Sequence, residues 1–564
     1  MNGRALRSNQ EIRLAENDRA ATTVTVVSTI PITCKAPPPD DGPDDCALPI
    51  ELQSESNDVA FELRTPWAGP PGPWAPMHVC EIKIKRSDWN PVTQRATTEY
   101  DMLAVRDMVD DDDRNFFLKF TNFPAFMSTP NDGLWRNYVV PSLRIRTEDR
   151  PTASCSSTGD PHYTATDRKV RFHRYQLGTY VMYKSTVRAF EVQSKLWVCG
   201  SGSVTCNCGM AVRENNDVIA ISICHGPYRR ATPELKIKTP HPLAEGTRIT
   251  RTAGSSSTTF NIFFPSGSKV TVTTYTTSMS ITIHVPSDDF QNCEGLCGNF
   301  DLDDQNDFQK PDGTFLPDDN NYPDAFFESW KLSDGHTFWD RVPNQFPFPE
   351  SMYCKCIGDI LTSGANQNVI ECGPEVRAER FGFGVLTGTD ITETLNQRKR
   401  RKRDTTYHDE DDDTIDHHLT FPDFVSIIPD WPTPSGITEQ LAEDFCKQVL
   451  RNSTMSTFCE DQANVDIFST LSQCVEDIKV SDDTEWATAA LSAMEDECTT
   501  AVLTNVSMHE TSENGTSVPP QALVEKLCLN QCSFKGTCVN GECVCDEGWI
   551  GKDCGVMANT GPSV

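Results

Sequence analysis

Five side chains between Asn299 and Asp307 could hold a cation. Asn299, Asp301, Asp303, Asn306 and Asp307 bring side-chain oxygens together within nine residues. Ca2+ takes about six to eight oxygen ligands, and closely spaced Asp and Asn supply them. The segment is not an EF-hand: counted from Asp301, that motif needs Gly where Asn306 stands and Glu where Asp312 stands. The bland alternative is a solvated acidic turn. A second constellation is Gly159-Asp160-Pro161-His162. An Asp carboxylate can attack its own carbonyl carbon, and a proline nitrogen is a good leaving group, so Asp160 and Pro161 form a candidate self-cleavage pair. The expectation for this chain is an uncleaved turn in which His162 is structural. A third is the basic run Arg398-Lys399-Arg400-Arg401-Lys402-Arg403. Furin-type convertases read Arg at the cut and at the fourth position of the site, with a basic residue between. Arg400, Lys402 and Arg403 meet that requirement, so we expect cleavage after Arg403. Contact with a heparin-like glycosaminoglycan is the second use of such a run, and a nuclear signal fits poorly in a chain with 23 Cys.

The cysteines set the compartment. So many thiols, many closely paired, read as disulfides of a secreted protein. Zinc sites need C-x2-C spacing and compact partners, which Cys354 and Cys356 lack. The sequons at Asn452, Asn505 and Asn514 agree with secretion and glycosylation. Residues 1–20 are too polar for a signal peptide. Three Cys (Cys34, Cys46 and Cys80) precede residue 150, an odd number, whereas the later groups of ten, four and six are even. The expectation is a fragment whose missing N-terminal piece holds the signal peptide and a partner Cys.

Composition excludes other classes. A formal net charge of -31 repels nucleic-acid phosphates and favours cations such as Ca2+. No run of about 18 apolar residues is present to span a membrane. None of H-E-x-x-H, G-x-x-x-x-G-K-[ST] or G-x-S-x-G occurs, so no enzyme is expected.

The elements that must position these groups form a multidomain, mainly β chain. Residues 1–20 read as disordered. Residues 21–150 read as a β-sandwich-like region, because short alternating strands such as Glu81-Ile82-Lys83-Ile84-Lys85 are separated by Pro- and Asp-rich turns. Residues 155–330 are also β-rich, with a meander around Ser266-Gly267-Ser268, and residues 330–375 form a Cys-bearing tail to them. Residues 376–436 read as a linker carrying the cleavage site, since opposite charge blocks with few apolar residues do not fold alone. Residues 437–503 change to helical period: Ile467, Leu471, Cys474, Val475 and Ile478 share a face, as do Ala487, Ala490, Leu491, Met494 and Cys498. Cys446, Cys459, Cys474 and Cys498 then close a small helical bundle with two disulfides. Residues 504–524 read as a glycosylated linker, and 525–558 as a last module with six Cys.

That last module, Cys528-x3-Cys532-x5-Cys538-x4-Cys543-x-Cys545-x8-Cys554 with Gly548-Trp549-Ile550-Gly551 in its final loop, resembles an EGF-like domain. The resemblance implies Cys528–Cys538, Cys532–Cys543 and Cys545–Cys554 pairing. The segment opening at Cys155-Ser-Ser-Thr-Gly-Asp-Pro-His-Tyr and closing at Cys293-Glu-Gly-Leu-Cys-Gly-Asn-Phe-Asp resembles a von Willebrand factor type D domain. This second resemblance implies a Cys155–Cys297 bond and a small Cys199–Cys206 loop, leaving the pairing of Cys208, Cys224, Cys293, Cys354, Cys356 and Cys372 open. It also implies that Asp167 joins Asn299, Asp301, Asn306 and Asp307 around Ca2+; Thr166-Asp167-Arg168 stands where family members show Phe-Asp-Gly. The order of modules resembles the family of von Willebrand factor D and EGF domain-containing proteins. The expected function is matrix or cell-surface assembly or adhesion and receptor signalling through extracellular proteins or cell-surface receptors. Lipid transport or a pro-protein scaffold is the alternative, and the lack of long amphipathic segments argues against lipid transport.

Overall fold

The computed structural model describes residues 11–18, 21–31, 47–54, 59–63, 81–104, 110, 112–122, 139–167, 171–173, 175–199, 204–224, 232–238, 242–244, 246–254, 257–316, 324–340, 354–357, 371–374, 389–396, 428–453, 455–463, 465–511, 517–524, 532, 535–539, 542–550, 554 and 556–557. It divides into two compact units, one of residues 1–151, 350–380 and 513–516, the other of the remainder.

In the first unit two sheets share one core. One sheet orders β1 (Glu11–Ala15), β9 (Leu143–Glu148), β8 (Arg114–Asn122), β3 (Ala47–Ser54) and β5 (Glu81–Lys85). The other orders β2 (Thr22–Ser28), β7 (Arg95–Ala104), β4 (Val59–Leu63), β24 (Cys354–Ile357) and β25 (Glu371–Pro374), with β6 (Trp89–Asn90) beside β7. Ile82 and Ile84 of β5 meet Tyr100 and Met102 of β7 in that core, as the alternating sequence of β5 requires. Two expectations are corrected here. Residues 1–20 are not wholly disordered: β1 pairs in parallel with β9, Glu11 opposite Arg144, and Leu14 is buried. Its partner lies about 130 residues away, so the pairing leaves no local trace in a charged segment. The tail around Cys354–Cys372 does not extend the D-like segment either; β24 pairs with β4, Cys354 opposite Phe61.

The second unit is built on another sandwich. One sheet orders β12 (Arg171–His173), β11 (His162–Thr164), β10 (Ala153–Thr158), β21 (Met279–Val285), β20 (Lys269–Thr274), β19 (Thr258–Phe263), β18 (Arg248–Ala253) and β26 (Thr389–Asp390). The facing sheet orders β17 (Glu234–Ile237), β16 (Asp217–Ser222), β15 (Val204–Glu214), β14 (Phe190–Cys199), β13 (Gly178–Ser185) and β22 (Cys293–Glu294), with β23 (Lys331–Leu332) on β13. Tyr180, Val192 and Val212 from one sheet and Ile262, Val272 and Ile283 from the other fill the core. Helix α1 (Asp324–Ser329) adds Phe326 and Phe327. The expected linker begins later than the sequence suggests: β26 pairs with β18, and Ile391 and Leu395 pack on this core.

Residues 437–503 form the expected helices: α2 (Glu439–Arg451), α3 (Ser456–Asp461), α4 (Ile467–Ser481) and α5 (Ala487–Thr504). The Thr438 hydroxyl accepts from the Leu441 amide and the Asp466 carboxylate from the Ser469 amide, capping α2 and α4. Cys446–Cys474 ties α2 to α4, and Cys459–Cys498 ties α3 to α5. The bundle runs past its expected ends: Trp431 packs at its start, and Met508 and Leu523 join its core. The last module holds a hairpin of Gly536–Val539 and Glu542–Cys545.

Candidate functional site

The oxygen-rich loop is held from both ends. The Cys155–Cys297 disulfide joins β10 to the start of the loop. Gly298 follows with φ +74, and a Cβ there would stand 2.1 Å from Asp307 Oδ1. Only glycine lets that carboxylate fold over the backbone, where the Asn299 amide donates to Asp307 Oδ1 at 3.0 Å. Asn299 Nδ2 donates to the Asn306 carbonyl and to Asn306 Oδ1, and Asn306 Nδ2 donates to Asp301 Oδ2. The amide of Asp303 donates to Asp301 Oδ1, which curls the loop back on itself.

Thr166 brings Asp167 to this loop. Its amide donates to the Cys297 carbonyl, and its hydroxyl donates to the carbonyls of Cys297 and Asn299. Oδ2 of Asp307 is buried without a hydrogen-bond partner, and both oxygens of Asp167 are buried facing the amides of Leu302, Asp301 and Asp303. Burial pushes the Asp307 carboxyl up to about 8, and the charges of Asp167, Asp301 and Asp304 add to the shift. Burial pushes Asp167 up to about 6, with Asp301 contributing. Buried carboxylates that raise one another are a donor chemistry that suits a hard divalent cation, although their oxygens are not drawn within 4.8 Å of one another as the ligand atoms of Asp160, His162 and Asp477 are. The residues present therefore fit Ca2+: Asp167, Asp301 and Asp307 would supply charged oxygens, with Asn299 and Asn306 beside them. The buried carboxylates come from two chain segments, unlike those of a solvated acidic turn.

A second cluster lies at the Gly-Asp-Pro-His turn. His162 Nε2 stands 2.6 Å from Asp160 Oδ1 and 3.2 Å from Asp477 Oδ1, the latter from α4. The hydroxyl of Tyr175 donates to Asp160 Oδ2 at 2.8 Å, and the Asp160 amide donates to Asp477 Oδ1. Burial alone would raise Asp160, but the His162 charge and the hydrogen bonds from His162, Asp477 and Tyr175 bring it below the usual carboxylate range. Burial opposes the imidazolium, yet Asp160 and Asp477 hold His162 well above its ordinary value. Burial pushes Asp477 up to about 8, with Asp160 adding and His162 opposing. The three ligand-type atoms lie within 4.8 Å of one another, with His162 Nε2 between the two carboxylates. An Asp160 carboxylate held at both oxygens by His162 and Tyr175 is not poised to attack its own carbonyl, which supports an uncleaved turn.

Sequence reasoning missed Asp477. The available signal was a polar stripe on α4: Thr470, Cys474, Asp477 and Ser481 recur at helical spacing, and all four are buried. Cys199–Cys206 closes the small loop, and Cys208 bonds Cys224. Cys293 is a buried free thiol. Cys532–Cys543 and Cys545–Cys554 close the last module. Cys528 and the side chain of Cys538 lie outside the described residues, as do Arg400, Lys402, Arg403 and Asn514. Asn452 is exposed at the end of α2, and Asn505 Oδ1 accepts from the Ser507 amide and hydroxyl within its sequon.

Two β sandwiches, the second held by disulfides, a stapled helical bundle and a six-Cys module define a modular chain. Comparison with protein families identifies three of its parts. Residues 155–314 match the von Willebrand factor type D domain, residues 432–521 the Vwde-like domain and residues 528–557 the teneurin-like EGF domain. The chain is 29% identical over 190 residues to the human IgGFc-binding protein, covering 33% of this chain and 3% of that protein. It is 28% identical over 194 residues to zonadhesin from Sus scrofa, covering 32% of this chain and 7% of that protein. The chain thus spans only a small fraction of these relatives' length. No helix among the described residues is long and apolar enough to cross a membrane.

Proposed function

We propose that this chain is a secreted, extracellular, adhesion-type modular protein that is not an enzyme and whose D domain is stabilised by Ca2+. The observation that carries the reading is the meeting of the buried carboxylates of Asp167 and Asp307, each raised by burial and by neighbouring carboxylates, at one loop of a disulfide-closed sandwich. Such a frame presents fixed surfaces to other extracellular proteins or cell-surface receptors. The D and EGF family matches and the likeness to the IgGFc-binding protein and zonadhesin support it. The test is capture from an extracellular-matrix extract by the recombinant secreted protein, with and without EDTA. Recovery of specific proteins in calcium and their loss in EDTA is the expected result. Identical capture in both would remove the calcium dependence, and no specific capture would remove the adhesion reading.

We further expect the chain to be cut after Arg403 during secretion, in the segment between the D domain and the helical bundle. The C-terminal product carries four Cys in the bundle and six in the EGF module. Cys446–Cys474, Cys459–Cys498, Cys532–Cys543 and Cys545–Cys554 all close within it. On a denaturing gel without reductant, protein from convertase-competent cells should therefore run as two bands, and an Arg400→Ala, Arg403→Ala double variant as one. A full-length band in both proteins, with or without reductant, would rule out the cut.

A further inference from the structure

Alternating strands with Thr and Ser on one side normally turn that side to water. The eight-stranded sheet of the D domain does not. Thr158 of β10, Thr282 and His284 of β21 and Thr271 and Thr273 of β20 are all buried, although Ile281, Ile283, Val270 and Val272 already face the apolar core. The cover over β10 and β21 is the helical bundle. Ser154, Thr282 and His284 of the sheet line one crevice with Gln473, Glu497 and Thr500 of α4 and α5.

Three further contacts run across this surface. Asp477 reaches into the Gly-Asp-Pro-His turn, where Gly159 has φ +62 and a Cβ would stand 2.6 Å from Asp477 Oδ1. Glycine thus leaves a seat that the carboxylate fills. Val480 and Trp486, the latter 7% exposed, pack on the Cys199–Cys206 hairpin with Val204. Lys269 of β20 faces Asp496 of α5, and each alters the other's charge equilibrium. Among the described residues no disulfide joins the two parts, since both bundle disulfides are internal.

We propose that the helical bundle, residues 428–511, is a docked partner of the D domain that remains bound to it without the connecting chain, anchored by Asp477 on the Gly159–His162 turn. The interface combines a buried charged anchor, an aromatic plug and a covered polar sheet face, which is the composition of an association surface and not of a tethered neighbour. The natural cut proposed above would then give a non-covalent two-part particle, but the docking stands whether or not that cut occurs.

The association should depend on pH. Asp477 holds its proton more tightly when docked, because burial and the Asp160 charge raise it, so its contribution is present at low pH and lost as pH rises through its docked value; His162 is raised by Asp160 of its own domain as well as by Asp477. The window is about 6.5 to 8, the upper part of the range over which Asp477 passes from its ordinary value of 3.8 to its docked value of about 8. Asp160 is shifted the other way and acts only at acid pH. Lys269, lowered to about 8, acts above the window, and Asp496, raised to about 6, acts below it. Tyr175 stays protonated throughout because burial and Asp160 raise it. His284, Glu476, Glu495 and Glu497 also lie in or beside the contact.

The experiment uses the full chain with a site-specific protease sequence placed in the segment between residues 397 and 427, cut completely and passed through gel filtration without denaturant. The two parts should co-elute at pH 6.5, and their affinity should fall roughly tenfold per pH unit toward pH 8 for each proton taken up. Asp477→Ala should weaken the complex at least tenfold, and Asp477→Asn should keep most of the affinity while flattening the pH slope. Disulfide mapping of Cys446–Cys474 in each variant confirms that the bundle has folded. Separate elution of the wild-type parts at pH 6.5 would overturn the proposal. Unchanged affinity in Asp477→Ala, or an unchanged slope in Asp477→Asn, would overturn the anchor.

Discussion

Replacing Cys155 and Cys297 together by Ser should lower the thermal midpoint of the D domain by roughly 10–20 °C, which scanning calorimetry under non-reducing conditions would read directly. The bond spans a sequence separation of 142 residues. Closing a loop of that length removes about 5 kcal/mol of entropy from the unfolded chain, whereas a seven-residue closure such as Cys199–Cys206 removes about 2.5 kcal/mol. The long bond also fixes the carbonyl of Cys297 that accepts from Thr166, so its loss loosens the placement of Asp167 as well. The double replacement leaves neither member of the pair as a free thiol to reshuffle. A fall of less than about 2 °C would show that the pair does not form in the folded protein.

Adding Ca2+ at a hundredfold excess over its dissociation constant should stabilise the wild-type D domain by about 2.7 kcal/mol, or roughly 5–10 °C. The rise should vanish in an Asp301→Ala, Asp307→Ala double variant. The reason is electrostatic. Without a cation, Asp167 and Asp307 oppose each other across a buried space, and burial has already raised both. A divalent ion would convert that repulsion into attraction and coordinate the buried oxygens. The variant removes the strain and the gain together, so its calcium-free midpoint should change far less than its calcium response. An undiminished rise in the variant would place the ion elsewhere.

What could be read in the sequence follows from how local each signal is. The disulfides that close the D domain and the EGF module lie in compact Cys motifs, so resemblance implied Cys155–Cys297 and Cys545–Cys554, and the structure contains both. The helices of the bundle announce themselves by apolar period and by the caps at Thr438 and Asp466. Strand partners distant in the chain do not: nothing near Glu11 specifies Arg144, and nothing near Cys354 specifies Phe61. The acidic loop was legible from ligand chemistry, but Asp167 required the resemblance, and Thr166 shows how a departure from the family pattern still ties it in place. Asp477 was legible only as one member of a polar stripe on α4; its partner His162 is 315 residues away, so nothing local assigned it a role.

The Cys155–Cys297 bond also has a mechanical consequence. Tension applied through the two flanking chains enters the D domain near Cys155 and leaves beyond Cys297. The 142 residues between them are bypassed by the covalent bridge. At about 3.4 Å per extended residue, roughly 480 Å of contour is withheld from stretching. Force on the domain would draw out only the segments outside the bridge, which include the acidic loop from Asn299 to Asp307, while the strands between Cys155 and Cys297 stay folded under load. Reduction of that single bond would release the whole length at once, turning a stiff link into a long, compliant one.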